Sequence, residues 1–576
     1  MSKLKSFIKP YWLWCVLAPL LMVVEVFMDL LQPTLMASIV DKGIMKNDLS
    51  HIVSTGLTML GVAFIGLIGG VGCTIFSSIA SQNFGNDLRI RLFEQVQTFS
   101  NRNLDKLKTG SLITRLTNDV VQLQTFVQII LRSLVRSPLL LIGSLVMAIR
   151  ISSSLTLILL VSVPLLFVLL YVLIRFSFPL FSKMQVKLDG VNTVLQENLS
   201  GIRVIKAFVR GEHEQKRFNE ANKDYTETAI KVTRLMSLNL PLMMLVLNVS
   251  IVAVLWFGGL ANWNHGLPIG DLIAFINYVT QLLMSMLMLS NMLTFISRAK
   301  VSGDRVSEVL ATTNEIANSH DSLTNAVHVG QVEFNRVSFA YDSNDENFVL
   351  EDISFTAKPG ETVAILGGTG AGKSTLVSLM SRIYEVSSGS ITIDGSDIRR
   401  IDLEHLRKNI GFVMQQTILF SGTIRDNIRY GRPDATDEEV KQAAIAAEAD
   451  GFIMGLPEAY DTVLGQRGIN LSGGQKQRLS IARAMLIQPT ILIMDDSTSA
   501  LDAVTESRIR KRLSQEMGSS TNILITQRVS SVVDADRILI LENGVIAAQG
   551  THEELLRTSE VYQEIRQSQL KEEEVS

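Results

Sequence analysis

Six stretches of about twenty mainly apolar residues, all before Arg298, constrain this chain more than any other feature. They run from about Tyr11 to Val40, Val53 to Ala80, Phe126 to Ala148, Leu155 to Ile174, Leu235 to Trp263 and Leu272 to Ile296. A segment of that length in hydrocarbon must satisfy its own backbone hydrogen bonds, so each predicts a membrane-spanning helix. The first is too long for the core of a cleavable signal peptide and further spans follow it, so it is predicted to be retained. Beyond Arg298 the sequence turns to alternating strand and helix patterns of ordinary charge density. The 576 residues, 47% hydrophobic with a mean hydropathy of +0.27, therefore read as a membrane half followed by a soluble half.

The links between spans are uneven. Asp41 to His51, Arg150 to Ser154 and Asn264 to Asp271 are short, whereas Ser81 to Thr125 and Arg175 to Arg234 are long and polar. Basic residues crowd into the long links (Arg89, Arg91, Arg102, Lys106, Lys108 and Arg115 in one, Arg203, Lys206, Arg210, Lys216 and Arg217 in the other). The positive-inside rule places these links, both termini and the soluble half in the cytoplasm. Their helical periodicity and few prolines predict helices that continue out of the membrane. Two cysteines, Cys15 and Cys73, both in apolar runs, exclude a disulfide framework and a zinc site. A net charge of −3 without a long basic tract argues against nucleic acid as a partner.

Charges within a span are expensive and informative. Glu25 and Asp29 fall on one face of the first span. Two roles are open for them: drawing a cationic substrate into a cavity, or the plainer one of pairing with Arg132 or Arg136 or sitting in water. Asp41 is placed at a helix terminus, as part of an outer gate. Met243, Met244, Met284, Met286, Met288 and Met292, with Phe275 and Phe295, offer an adaptable apolar wall, against the plainer reading of lipid contact and packing. The last span is expected to continue to Leu310, giving a membrane domain over 1–310, a polar linker over 311–327, a soluble domain over 328–570 and an acidic tail over 571–576.

The soluble half carries a strand pattern, Val363 to Leu366, then Gly367-Gly368-Thr369-Gly370-Ala371-Gly372-Lys373-Ser374 and a helical run from Ser374 through Thr375 to Met380. Strand, glycine loop and helix in this order form a phosphate loop. Backbone N–H groups and the helix N-terminus hold phosphates. Lys373 is expected on the β- and γ-phosphates of ATP, and the Ser374 hydroxyl on Mg²⁺. About a hundred residues later comes Leu471-Ser472-Gly473-Gly474-Gln475, whose glycines permit close approach to a γ-phosphate. Ile491 to Met494 form an apolar strand ending in Asp495 and followed by Asp496.

These motifs together resemble the ATP-binding cassette transporters, and the long helical links resemble the exporter branch of that family. The resemblance covers nearly the whole chain and implies a six-helix membrane bundle followed by an α/β P-loop ATPase. It implies that Tyr341 stacks on adenine, that Gln415 (or its neighbour Gln416) reaches Mg²⁺, and that Asp495 holds Mg²⁺ through its water shell. It implies that Ser499 to Asp502 communicate between sites, and that Asn103 to Asp119 and the region around Val209 to Phe218 contain coupling helices. It also implies that Leu471 to Gln475 act in trans, over nucleotide held by another cassette.

Three positions depart from the family pattern. Asp496 stands where the general base is glutamate, Gln527 where a switch histidine is expected, and Gln466 where a glutamate is usual. A general base must lie within about 2.6–3.2 Å of its proton, directly or through one water, so the shorter arm of Asp496 predicts poor polarisation of the attacking water. An amide at Gln527 hydrogen-bonds phosphate but does not titrate near neutrality. The expectation is a site that binds ATP and Mg²⁺ but hydrolyses slowly, in a subunit paired with a non-identical half-transporter whose glutamate and histidine are intact. Such a pair resembles the bacterial heterodimeric multidrug exporters, implying a multi-pass protein of the bacterial plasma membrane that expels small amphipathic, often cationic compounds. Two alternatives are export of a lipid, peptide or specific metabolite, and a regulatory subunit that pumps nothing itself. The apolar spans exclude a soluble ATPase acting on ribosomes or DNA.

Overall fold

The computed structural model describes residues 2–263, 267–314, 316–318, 321–341 and 347–575. Residues 264–266 of the third short link and residues 315, 319 and 320 of the linker lie outside the described residues. The chain divides into two units, Met1–Gln97 with Gly110–Ala311, and Thr98–Thr109 with Thr312–Ser576.

In the first unit, among the described residues, six helices are long and apolar enough to cross a membrane. The six expected spans lie in them. Helices Leu49–Gln97 and Ser153–Ser200 have 49 and 48 residues, roughly 70 Å at the rise of an α-helix. That is about twice the hydrocarbon thickness, so the two long polar links are largely helical continuations of these spans. Helix Trp12–Ser38 passes into a π-turn, Ile39–Ile44, that carries Asp41. Its carboxylate Oδ1 accepts the Gly270 N–H at 2.7 Å and so caps the start of helix Ile269–Ala311. A side chain at Gly270 would collide with the Ala37 carbonyl oxygen, so only glycine lets these helix ends meet. Met243, Phe275 and Met286 are buried in the helical core, whereas Met288 is exposed. At the other end of the bundle Asp119, fully buried, accepts Ser302 Oγ at 2.8 Å and Arg305 Nη2 at 3.0 Å.

The second unit is built on a six-stranded sheet in the order Val545–Gly550, Arg537–Glu542, Thr362–Leu366, Thr521–Thr526, Ile491–Asp495, Ile410–Val413. All neighbours are parallel except the first pair. Strands Thr362–Leu366, Ile491–Asp495 and Thr521–Thr526 read as nearly continuous apolar runs because helices cover both faces of such a sheet. A second sheet of four antiparallel strands packs with it around one core that includes Phe334, Leu350, Leu376 and Ile493. Helix Asn101–Leu107 belongs to this unit. Tyr384 Oη donates to its Asp105 Oδ2 at 2.9 Å, and Arg102 Nε donates to the Tyr341 carbonyl oxygen at 3.1 Å. The second expected coupling region, around Val209 to Phe218, starts in a break in the first unit between helices Ile202–Ala207 and Gly211–Ser237, with Phe208 and Val209 exposed, and continues through the first turns of the latter helix.

Candidate nucleotide site

Parallel sheets bind ligands beyond the carboxyl ends of their strands, and four strands here deliver their next residues to one place. Leu366 leads into the glycine loop, Asp495 into Asp496, Thr526 into Gln527, and Val413 leads to Gln415 two residues on. The ladder aligns Thr526 with Leu366 and Ile525 with Asp495. The resulting pocket, about 200 Å³, is lined by Thr369 to Thr375, Gln415, Asp495, Asp496 and Gln527, together with Val349 and Ile525. Gln415 lines it and Gln416 does not.

Gly367 and Gly368 immediately precede the lining residues, and only Gly367 is closely hemmed in. A Cβ on Gly367 would strike the Leu541 carbonyl oxygen. Gly370 and Gly372 take φ of 84° and 96°, the left-handed region that glycine enters without strain. Gly372 caps helix Lys373–Met380, and the free N–H groups of a helix N-terminus favour an anion. Lys373 folds back, its Nζ donating to the carbonyl oxygens of Gly367 at 2.8 Å and Gly368 at 2.7 Å. Burial holds the Lys373 ammonium below the ordinary lysine range, against the opposing pull of Asp496 and Asp495. An anion in the loop would relieve that desolvation.

Ser374 Oγ donates to Asp495 Oδ1 at 3.0 Å. Burial pushes the Asp495 carboxyl up, opposed by the Ser374 hydrogen bond. A hydroxyl and a desolvated carboxylate side by side, both hard oxygen donors, fit Mg²⁺. Asp496 sits at φ 43°, a left-handed conformation that aspartate tolerates better than most residues. Its N–H donates to the Ile525 carbonyl oxygen at 3.0 Å and its Oδ2 accepts Gln415 Nε2 at 3.4 Å. Tyr341 stands beside the pocket, its hydroxyl 2.8 Å from Thr375 Oγ1 and its ring edge-on to Tyr384. Half of Tyr341 is exposed, which leaves ring surface for a base.

None of Leu471 to Gln475 lines this pocket. They form the start of helix Gly473–Leu486 through a capping box: Gln475 N–H donates to Ser472 Oγ at 3.3 Å, and Ser472 N–H donates to Gln475 Oε1 at 2.9 Å. A Cβ on Gly474 would come within 3.0 Å of the Ala500 carbonyl oxygen.

Two glutamines to which the sequence reading gave no role hold these loops. Gln477 accepts the Ala500 N–H at 3.1 Å and donates to Ser499 Oγ at 3.3 Å, tying the signature helix to Ser499–Asp502. Gln569 accepts the Val529 N–H at 2.8 Å and donates to the Gln527 carbonyl oxygen at 2.6 Å. Its helix, Glu560–Val575, runs on through the acidic tail.

Within the first unit, Arg136 engages both acids of the first span, Nη1 to Glu25 Oε1 at 3.0 Å and Nη2 to Asp29 Oδ2 at 2.9 Å. Of the two open roles, the structure shows pairing. The same carboxylates, with Arg132, also line a cavity of about 550 Å³.

Residues 15–286 match the family model described as ABC transporter transmembrane region and residues 350–499 the one described as ABC transporter. An uncharacterized ABC transporter ATP-binding protein, YfiB of Bacillus subtilis, is 42% identical over 99% of this chain and 98% of its own length. The ATP-dependent lipid A-core flippase of Syntrophus aciditrophicus is 36% identical over 90% of this chain and 86% of its own. A putative multidrug export protein of B. subtilis, YgaD, is 34% identical over 98% of both. The solved structure of a bacterial Atm1-family ABC exporter with ATP bound superposes with a TM-score of 0.80 at 28% identity, over 98% of both chains. With its membrane helices and ATPase cassette on one polypeptide, the chain belongs to the ABC transporter family, as a half-transporter of the exporter type.

Proposed function

We propose that this chain is one half of a heterodimeric exporter of amphipathic compounds in the bacterial plasma membrane, with its cassette in the cytoplasm. Its own phosphate loop and Asp495 hold ATP and Mg²⁺ but turn over slowly, and its Leu471–Gln475 signature completes the competent site of an unlike partner. The observation that carries this reading is that Asp496 and Gln527 face one pocket with Lys373, Ser374 and Asp495. Both departures thus bear on a single hydrolytic step.

The residues divide the work. The glycine loop and the N-terminus of helix Lys373–Met380 bind phosphate, Ser374 and Asp495 would hold Mg²⁺, and Tyr341 offers a face to adenine. Asp496 is left to orient water with an arm one methylene too short, and Gln415 occupies one of its oxygens. A homodimer would carry two such slow sites, whereas an unlike partner supplies a glutamate and a histidine for one of them.

The test is turnover of the assembled pair with the partner's own glutamate disabled. Asp496→Glu with Gln527→His is expected to raise residual ATP hydrolysis by about tenfold or more, within the range of one general base. Unchanged turnover overturns the slow-site reading. Brisk ATP hydrolysis with transport by this chain alone overturns the heterodimer. The similarity to a lipid A-core flippase favours a lipid cargo as second reading, which a transport panel in vesicles separates from drug export.

A further inference from the structure

Glu25 and Asp29 are the acids that a cationic cargo would require, and their surroundings leave them little freedom. One guanidinium, Arg136, spans both. Glu25 is also wedged from the other side, because helix Leu49–Gln97 approaches so closely that a Cβ on Gly70 would lie 2.9 Å from Glu25 Oε2. Arg132, four residues before Arg136 on the same helix, is exposed and lines the cavity of about 550 Å³ with Glu25 and Asp29. Among the described residues none forms an ion pair or hydrogen bond with Arg132. Two carboxylates and two guanidiniums balance, so the cluster has no net charge to draw a cation, and the charge without a close partner is positive.

An unpaired charge within a membrane span is costly unless water or a ligand answers it. A guanidinium presents a planar fork suited to carboxylate and phosphate. The remaining wall is mostly apolar, with Met28, Leu67, Val71 and Ile75 beside the polar Gln32 and Thr74, and the volume falls within the range of small-molecule sites. We infer that this cavity takes an amphiphile with an acidic head group, a carboxylate or a phosphate monoester, seated on Arg132 with its chain along the apolar wall of Leu49–Gln97. This deepens the exporter reading and rests on it, and it replaces the cationic cargo expected from the sequence with an anionic one.

The test is binding without nucleotide, so that its failure is separable from any failure of the hydrolytic reading. The full chain, with the half-transporter that co-purifies, is placed in nanodiscs of phosphatidylcholine. It is titrated with laurate, dodecyl phosphate, dodecyltrimethylammonium and dodecyl maltoside below their critical micelle concentrations. At least one of the two anions is expected to bind about tenfold more tightly than the cation. Arg132→Gln should bring that anion to the level of the maltoside, Arg132→Lys should retain much of the preference, and Glu25→Gln with Asp29→Asn should strengthen anion binding by freeing Arg136. Tighter binding of dodecyl phosphate points to a lipid phosphate, and of laurate to a fatty carboxylate. A cation bound as tightly as either anion, or an anion preference untouched in Arg132→Gln, overturns the proposal. If that variant does not fold, weaker anion binding in the double acid variant overturns it instead.

Discussion

The side-chain amide of Gln569 donates to the main-chain carbonyl oxygen of Gln527 at 2.6 Å and accepts the N–H of Val529 at 2.8 Å, so one C-terminal side chain closes both ends of the turn behind the nucleotide pocket. Gln569→Ala removes both bonds, each worth about 1 kcal/mol net. Faster amide exchange of residues 527–531 by up to roughly thirtyfold is expected, since local opening sets protection. Unaltered protection of the Val529 amide would show that the turn is held elsewhere.

Asp495→Asn should stabilise the nucleotide-free protein while removing the effect of Mg²⁺ on nucleotide affinity. The folded carboxyl is raised by burial, so the folded state binds more protons than the unfolded chain above the ordinary aspartate range, and stability falls as pH rises through that window. The gain, on the order of 1 kcal/mol for relieving a desolvated carboxylate, should therefore be present at neutral pH and vanish in acid. Thermal unfolding of the two proteins at both pH values checks the sign.

Gly474→Ala places a methyl about 3.0 Å from the Ala500 carbonyl oxygen and 3.3 Å from Leu501 Cδ2. The signature helix must shift against Ser499–Asp502. Turnover of the assembled pair is expected to drop by about tenfold or more, as misplacement near the reacting groups does. ATP binding at the Lys373 loop of this chain should stay unchanged, which equilibrium binding of a labelled nucleotide measures.

Arg136→Ala strands Glu25 and Asp29, and because Arg136 and Asp29 are partly exposed the loss should fall between that of a surface pair and that of a buried one, on the order of 1–2 kcal/mol. Adding Glu25→Gln and Asp29→Asn should recover most of it, because the cost lies in the unanswered charges. Unfolding midpoints in one detergent decide this, and failure of the triple variant to recover would mean that Arg136 acts through packing.

The spans are legible in sequence because hydrocarbon leaves a helix no alternative, and the phosphate loop because anion binding demands those residues in that order. Pairing is less legible. Residues four apart put Glu25 with Asp29 and Arg132 with Arg136, but which arginine meets the acids depends on how two helices are rotated against each other, and no local pattern encodes that. Gln569 lies 42 residues from Gln527 and carries no motif. Only the path of the last helix brings it there. Likewise the basic character of Asn101–Leu107 marks it as exposed without revealing that Asp105 would meet Tyr384.

The ladder that aligns Thr526 with Leu366 and Ile525 with Asp495 means that the pocket's chemistry is indexed by strand pairing. Sliding one strand by a single residue would send the acid or amide at that strand's own end to the opposite face of the sheet. An exchange such as Asp496→Glu leaves that pairing untouched, so the reach of the carboxylate at this position is set by the side chain alone while the strands keep their register.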